Sequence, residues 1–469
     1  MRVVEAALLL LLAPAVTCQW LTAVHLADLP ALILGSSDPL HTYKCLVLTG
    51  RDDGGADTLR TALGDPRCAI VALTGGVTVL VSPARGSLTV RRSVSVACEQ
   101  LLAGLTIPSL GSPIPTRLAN ASASLASNAS AERLGAKLVK GCVLDGAQLA
   151  GSFQSIVSVK GGSSVNFTDI QFVNGGAPEG GALLINGTRL VVVDHCSFTN
   201  NGATVSGGAV ASINSALAVI GSVFRGNTVT APALAPAEGG AVFASGGELA
   251  VTLCSFGNNV ATIGGGIFVS NTNLQIHWSA FFNNAGGAVA QFGTGNFNPL
   301  VRTLISFNVF AGNVATNGSA LLVYGSGQAG SLQLDVNHCH FLNNTATQFG
   351  GAIATSNGVA SNLTANEFKL NTDSCPLTPP GSSIYIDLAG PCLDVVAVHS
   401  QLLPTCGVIS LQHLVRRSLP DGTTCSPLQT QLLGPFCCQS DPLLDGLCKV
   451  SKLSPTAGCP APVRHRLAA

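Results

Sequence analysis

Two glutamates, Glu179 and Glu238, each stand immediately before a Gly-Gly-Ala triplet. Paired carboxylates at a fixed separation are what glycosidic-bond hydrolysis uses, one acid protonating the leaving oxygen and one base activating water. A polysaccharide lyase would need a basic residue plus acids holding a cation such as calcium, and neither glutamate has an Arg or Lys beside it in sequence. Between Phe172 and Asn371 the only other acids are Asp194, Glu248, Asp335 and Glu367. The pair is therefore read as two solvated carboxylates at loop ends, with catalysis by Glu179 and Glu238, or by an amino-terminal group such as Asp145, as the alternative. Asp194-His195-Cys196 and His338-Cys339-His340 invite a metal or nucleophile reading. Neighbours on a strand point to opposite faces, so His195 does not converge with Cys196; His338 and His340 share a face but lack a third ligand. No Gly-Gly-x-Gly-x-Asp repeat is present to load calcium. The expectation is no metal and no cofactor.

The elements that position these residues come from a repeat. Phe-x-x-Asn recurs at Phe198, Phe224, Phe256, Phe281, Phe310, Phe341 and Phe368, spaced by 25 to 32 residues, with a degenerate copy at Phe172. Interleaved with it run Gly-Gly-Ala-aliphatic segments beginning at Gly180, Gly207, Gly239, Gly286 and Gly350, and Gly264-Gly265-Gly266-Ile267. Five residues before each Phe stands Phe167, Val193, Val219, Val251, Ile276, Ile305, Val336 or Leu363, and the column seven before is largely apolar too. Columns two apart on one face mean β-strand. Two residues before the Phe the column turns small or polar, as Cys196, Ser222, Cys254 and Ser279 illustrate, so the alternation slips at one place in every unit. A recurrent slip is a corner between two strands. The Gly-Gly-Ala segment opens a third strand, and stacking such units at about 4.8 Å pairs each backbone with the next rung. This predicts an all-β, single-stranded parallel β-helix with about three strands per coil, an internal Phe column and an Asn ladder. The stretch between Asn and the next Gly-Gly varies from Ala285 alone to Thr228–Glu238, and is expected to lie outside the coil.

The paired Gly-Gly-Ala-(Ile/Leu/Val) and Phe-x-x-Asn segments resemble the polymorphic outer membrane protein repeats of chlamydiae, directly over about Phe172 to Asn371. The resemblance implies a right-handed, pectin-lyase-like β-helix displayed on a cell surface, often as an adhesin. Such bacterial proteins end in a large outer-membrane barrel with a terminal aromatic residue. Here a cysteine-rich tail too short for a barrel ends Arg466-Leu467-Ala468-Ala469, so the autotransporter role is not expected to carry over.

Met1-Arg2, the apolar run Ala6 to Leu12 and the small residues before Cys18 read as a secretory signal peptide over 1–18, and no later run is long enough to span a membrane. Residues 19–67 form an amino-terminal cap segment, with Leu21 to Leu34 helical. The β-helix is expected over 68–395, its early strands at Ala69–Leu73, Val77–Val81, Leu88–Val90 and Val94–Val96, with an excursion over 104–135 and clear repeats over 172–371. Residues 396–469 form the cysteine-rich tail.

Sequons begin at Asn120, Asn128, Asn166, Asn186, Asn317, Asn343 and Asn362, with Asn120 and Asn128 favoured because they lie in the excursion. Of 16 cysteines, Cys196, Cys254 and Cys339 share one repeat column. The first two stand two coils apart, about 10 Å by the rung spacing and beyond disulfide reach, so they are read as buried thiols. Cys375, Cys392, Cys406, Cys425, Cys437, Cys438, Cys448 and Cys459 crowd the tail as a disulfide staple capping the last coil, with pairing open. Cys45 with Cys68, and Cys98 with Cys142, are candidate bridges at the other end.

Charged residues make up 10% of the chain, the net charge is zero, and few Lys or Arg occur among the repeats. That excludes nucleic acid, whose phosphates need clustered cations, and a polybasic membrane patch. The expected function is a secreted, glycosylated β-helix with a structural, adhesive or polysaccharide-binding role. Its partners would be extracellular matrix, wall polysaccharide or a cell-surface protein; the alternative is a pectin-lyase-like lyase or hydrolase.

Overall fold

The computed structural model describes residues 43–47, 49–55, 58–99, 141–147, 154–231, 236–293, 301–325, 332–356 and 359–373, and the strands Ser382–Asp387, Ala397–Leu402, Val408–Gln412 and Val450–Lys452. The signal peptide, the helix expected at Leu21 to Leu34, the excursion, Asn120, Asn128 and the eight tail cysteines lie outside the described residues.

Among the described residues the strands pair in parallel, like positions of successive coils joining, apart from an isolated antiparallel bridge between Gln154 and Gly176. The fold is a parallel β-helix. Phe172, Phe198, Phe224, Phe256, Phe281, Phe310, Phe341 and Phe368 stand in direct register. Their rings stack at 4.6 to 5.1 Å with interplanar angles of 1° to 11°. The aliphatic columns five and seven before each Phe complete one continuous core. Thr303, in one of these columns, is buried and bonds Gln291, which donates in turn to the Thr272 carbonyl at 3.0 Å, so the polar intrusion is satisfied.

Beside the Phe column runs the amide ladder. Each Asn from Asn201 to Asn344 donates Nδ2 to the next Asn Oδ1 at 2.9 to 3.0 Å and to the Phe carbonyl of the preceding coil at 2.9 to 3.1 Å. The same Oδ1 accepts the backbone N–H of the Asn below. In the degenerate copy Gly175 replaces the ladder Asn, and its N–H still caps the column on Asn201 Oδ1 at 2.8 Å.

Left-handed residues recur at four positions along the coil, one of them the bend at Gly187, Asn214, Gly246 and Asn271 that follows the Gly-Gly-Ala strand, and the other three at corners. The first corner is the position three before Phe, from Asp169 and His195 to Leu253, Trp278, Phe307 and His338. This is the slip in the period-2 pattern. The second lies two after Phe, from Asn174 to Leu370, and the third is the first Gly of Gly-Gly-Ala. The second Gly answers to close approach: a Cβ on Gly208 would stand 2.1 Å from the Gly240 carbonyl.

One expectation is corrected. The segment between Asn and Gly-Gly does not lie wholly outside the coil: Gly176–Glu179, Gly202–Ser206 and Thr228–Val229 pair as a small parallel sheet. Val314–Asn317, Thr345–Phe349 and Thr372–Asp373 form another, and Ala285 bridges to Val260 and Val314. The ladder causes this. Burying the Asn fixes the next N–H against the Asn carbonyl of the coil below, as Thr228 N–H does on Asn201 at 2.9 Å.

Before the repeats, strands at Cys68–Thr74, Thr78–Leu80, Leu88–Val90 and Val94–Glu99 form the early coils. A short helix, Leu59–Gly64, capped by Thr58, covers the adjoining end. Disulfides join Cys45 to Cys68 and Cys98 to Cys142. Among the described residues no helix is long and apolar enough to cross a membrane.

Candidate functional site

Glu179 pairs in register with Ser206, Ser206 with Glu238, and Glu238 with Ile263. The two carboxylates thus stand two rungs apart in one column, about 10 Å between backbones. They are not two solvated loop ends. Glu179 is half-buried and Glu238 is buried, because the returning chain at Ala237 packs onto Ala203, Val229 and Ala261. Ile263, next in the column, packs against Phe268 and Ala290. Ser206 Oγ is buried with no hydrogen-bond partner. Burial pushes the Glu238 carboxyl up to about 7, since its ionised form loses hydration.

A stability prediction follows. Folded Glu238 keeps its proton to about pH 7, whereas an unfolded glutamate ionises from 4.5 upward. Between those values the unfolded state binds fewer protons, so stability falls as pH rises, by roughly 3 kcal/mol at about 1.36 kcal/mol per pH unit. Glu238→Gln is expected to lack this fall when denaturation midpoints are compared at about pH 4.5 and about pH 8. An equal fall in both proteins would show that Glu238 is not its source.

The His and Cys segments do not form a centre. His195 Nδ1 contacts Asp194 Oδ1 at 2.7 Å on the exterior, whereas Cys196 is buried, its Sγ donating to the Phe167 carbonyl at 3.4 Å. Desolvation pushes Cys254 and Cys339 up to about 12 and raises Cys196 as well. Such thiols are inert packing groups. The column also works as a second ladder, with Ser222 Oγ accepting Cys196 N–H at 3.0 Å and Asn366 Oδ1 accepting Cys339 N–H at 2.9 Å. His338 stacks on Phe307, and His340 Nδ1 meets Glu367 at 2.9 Å, so the two imidazoles have different partners. Among the described residues no three His, Cys, Asp or Glu are grouped to hold a metal ion.

Of the sequon asparagines, Asn186 and Asn343 are exposed and Asn166 and Asn317 half-buried, while Asn362 lies within the strand Val359–Lys369. Asn166 Oδ1 is buried without a partner. Exposure at Asn186 and Asn343 leaves room for a glycan.

Sequence reasoning missed two aromatic stacks outside the coil. Phe243 and Phe268 share one column, Phe292 and Tyr324 the column two residues on, and the four rings stack at 5.0 to 5.7 Å over the outside of the Gly-Gly-Ala strands. At the corner before Phe, Trp278 stacks on Phe307 at 4.3 Å and Phe307 on His338 at 4.8 Å. Leu253, one rung before Trp278, is 63% exposed and Trp278 is 44% exposed. Extending the Phe-aligned columns to the third residue before Phe would have found the second group. Neighbouring rings cover one another's faces, so this ridge presents ring edges to solvent rather than the open faces on which a sugar stacks.

No curated protein and no solved structure matches the chain. Residues 195–213 and 338–356 match the family model described as the Chlamydia polymorphic membrane protein (Chlamydia_PMP) repeat. Each match runs from a corner histidine through the Phe strand and the Asn ladder into a Gly-Gly-Ala strand. At these two places the β-helix is similar to the Chlamydia polymorphic membrane protein repeat.

Proposed function

We propose that this is a secreted, glycosylated extracellular protein whose β-helix serves as a rigid structural or adhesive element that binds wall or matrix polysaccharide. The observation that carries this reading is the unbroken stack of Phe and Asn columns from Phe172 to Asn371, which fixes an elongated outer surface with exposed side chains on every rung. That surface is sparsely charged, which suits uncharged hydroxyl-rich chains better than polyanions. Repeats of a membrane-protein family at two coils support display at a cell surface. The test is size-exclusion chromatography of neutral, pectic and alginate-like polysaccharides with the secreted protein, with and without calcium. Intact chains that co-elute with protein are expected; no co-elution with any of them would sink the polysaccharide role.

One observation favours a second reading as a glycoside hydrolase. Glu238, pushed up to about 7 by burial, has the protonation of a general acid, and Glu179 lies in the same column as a base. The backbones stand about 10 Å apart, just beyond the roughly 6.5–9.5 Å between the carboxyl groups of an inverting pair, so the side chains would have to lean together. On this reading the chromatography returns shortened chains, and Glu179→Gln and Glu238→Gln each lower cleavage by at least about 100-fold, the usual scale for lost acid–base catalysis, with secretion unchanged. Cleavage at wild-type rate in both variants would remove the assignment.

A further inference from the structure

After each ladder asparagine the chain places one residue outward, one inward and one outward before it returns to Gly-Gly. The inward residues Ala203, Val229, Ala261 and Ala346 are small and buried, which holds successive coils at one height. The first outward residues stand in one column: Thr228 pairs with Val260, Val260 with Ala285, Ala285 with Val314, Val314 with Thr345 and Thr345 with Thr372. The second outward residue is threonine on five rungs, as Thr204, Thr230, Thr262, Thr316 and Thr347, and all five are exposed. On the Phe281 rung Ala285 runs directly into Gly286-Gly287, so the array consists of two blocks of three rungs each.

Strand propensity does not account for this constancy, because outward columns elsewhere mix their chemistry. Thr199, Arg225, Gly257 and Phe282 share one, and Ala216, Glu248 and Asn273 another. Nor does solubility, since Val260 and Val314 stand 43% and 47% exposed in a column otherwise occupied by threonine and alanine. Residues 202–205, 228–231, 260–263, 314–317 and 345–348 contain no Asp, Glu, Lys or Arg.

Threonine and valine branch at Cβ and are stiff at χ1, so every hydroxyl and methyl of the array has a fixed place. Methyls restrict the orientations of first-shell water, and hydroxyls anchor it by hydrogen bonds. Hydroxyls on adjacent rungs stand close enough to share a bond or a water, as the Oγ1 atoms of Thr345 and Thr372 do at 3.4 Å. The array repeats at about 4.8 Å from rung to rung and about 6.7 Å between outward residues of one strand, close to the oxygen repeats along and across a prism face of ice. An uncharged array also complements a neutral lattice, where a fixed charge would hold water in a shell of its own. The aromatic faces and carboxylates with which a protein grips a sugar are missing from it. We propose that the threonine face binds ice, its hydroxyls and methyls holding water in lattice positions that a growing crystal takes up.

The test is the growth of ice crystals with the secreted full chain, read as crystal size after annealing and as the gap between the melting and freezing temperatures of one crystal. It is repeated with Thr262→Lys and Thr347→Lys, one in each block, and with Gln275→Lys, exposed on another surface. Wild type and Gln275→Lys are expected to keep annealed crystals small and faceted at micromolar protein. Each threonine variant is expected to need at least about tenfold more protein for the same effect, with unchanged circular dichroism and melting midpoint. Wild type that leaves crystal growth as buffer does would overturn the inference, as would threonine variants that act at the wild-type concentration. Co-sedimentation with insoluble cellulose or chitin that is lost in Thr347→Lys, without any effect on ice, would assign the face to polysaccharide and equally overturn ice binding.

Discussion

Asn284→Ala is expected to destabilise the protein by about 4 kcal/mol, although it removes one neutral side chain far from any terminus. Asn284 is completely buried. Its Oδ1 accepts from Asn259 N–H at 3.1 Å and Asn259 Nδ2 at 3.0 Å, and its Nδ2 donates to the Phe256 carbonyl at 3.1 Å and to Asn313 Oδ1 at 2.9 Å. Alanine leaves two buried donors on Asn259 unmade and withdraws a donor from Phe256 and Asn313. Each orphaned buried group costs about 1–3 kcal/mol, and the void adds to the loss. Because neighbouring amides polarise one another, the damage spreads along the ladder. A guanidinium midpoint together with hydrogen exchange should show the loss, with protection falling first in the coils of Phe256 and Phe310. Gln275→Ala, exposed on a strand of the same coil, should stay within about 0.5 kcal/mol of wild type. If Asn284→Ala behaved like Gln275→Ala, the ladder would be a consequence of the fold rather than a cause of it.

The fold was legible because stacking repeats one chemical requirement at one position. Phe and Asn recur since each must lie on its own kind, and the aliphatic columns recur since each must face the same interior. The corner before Phe was legible only as a slip in alternation: its left-handed backbone is shared by Asp169, Gly221, Trp278 and His338, which have no chemistry in common. The Gly-Gly-Ala position between Gly286 and Gly350 escaped notice because it reads Gly318-Ser319-Ala320. There Ser319 takes the second glycine's place and donates its hydroxyl to the Gly351 carbonyl, in a coil where the local backbone leaves room for a Cβ.

The candidate site was legible as a column and not as an environment. Glu179, Ser206 and Glu238 can be aligned by counting back from Gly-Gly, and the structure pairs them accordingly. That Glu238 is buried goes with the packing of its neighbour Ala237 against Ala203, Val229 and Ala261, and no local periodicity encodes that contact. The exterior ridge was hidden for a different reason. Hydrophobic residues outside a solenoid look like core residues in a sequence, and only the register shows that Leu253 and Trp278 face water while Val251 and Ile276 do not.

Phe281→Ala is expected to cost about 4 kcal/mol. The ring is fully buried between Phe256 at 4.8 Å and Phe310 at 5.0 Å, and its Cδ1 occupies space beside Gly266, where a Cβ would stand 3.2 Å away. The backbone around it is pinned by the amide ladder on one side and the Ser279–Asn308 bond on the other, so the void can close only by tilting neighbouring rings. Phe281→Leu, which keeps most of the volume, should cost no more than about 1.5 kcal/mol. The double variant with Phe256→Ala should be less destabilised than the sum of the singles, because the two cavities merge and share one relaxation. Thermal unfolding of the four proteins measures the cycle; strict additivity would mean the stacked rings act independently.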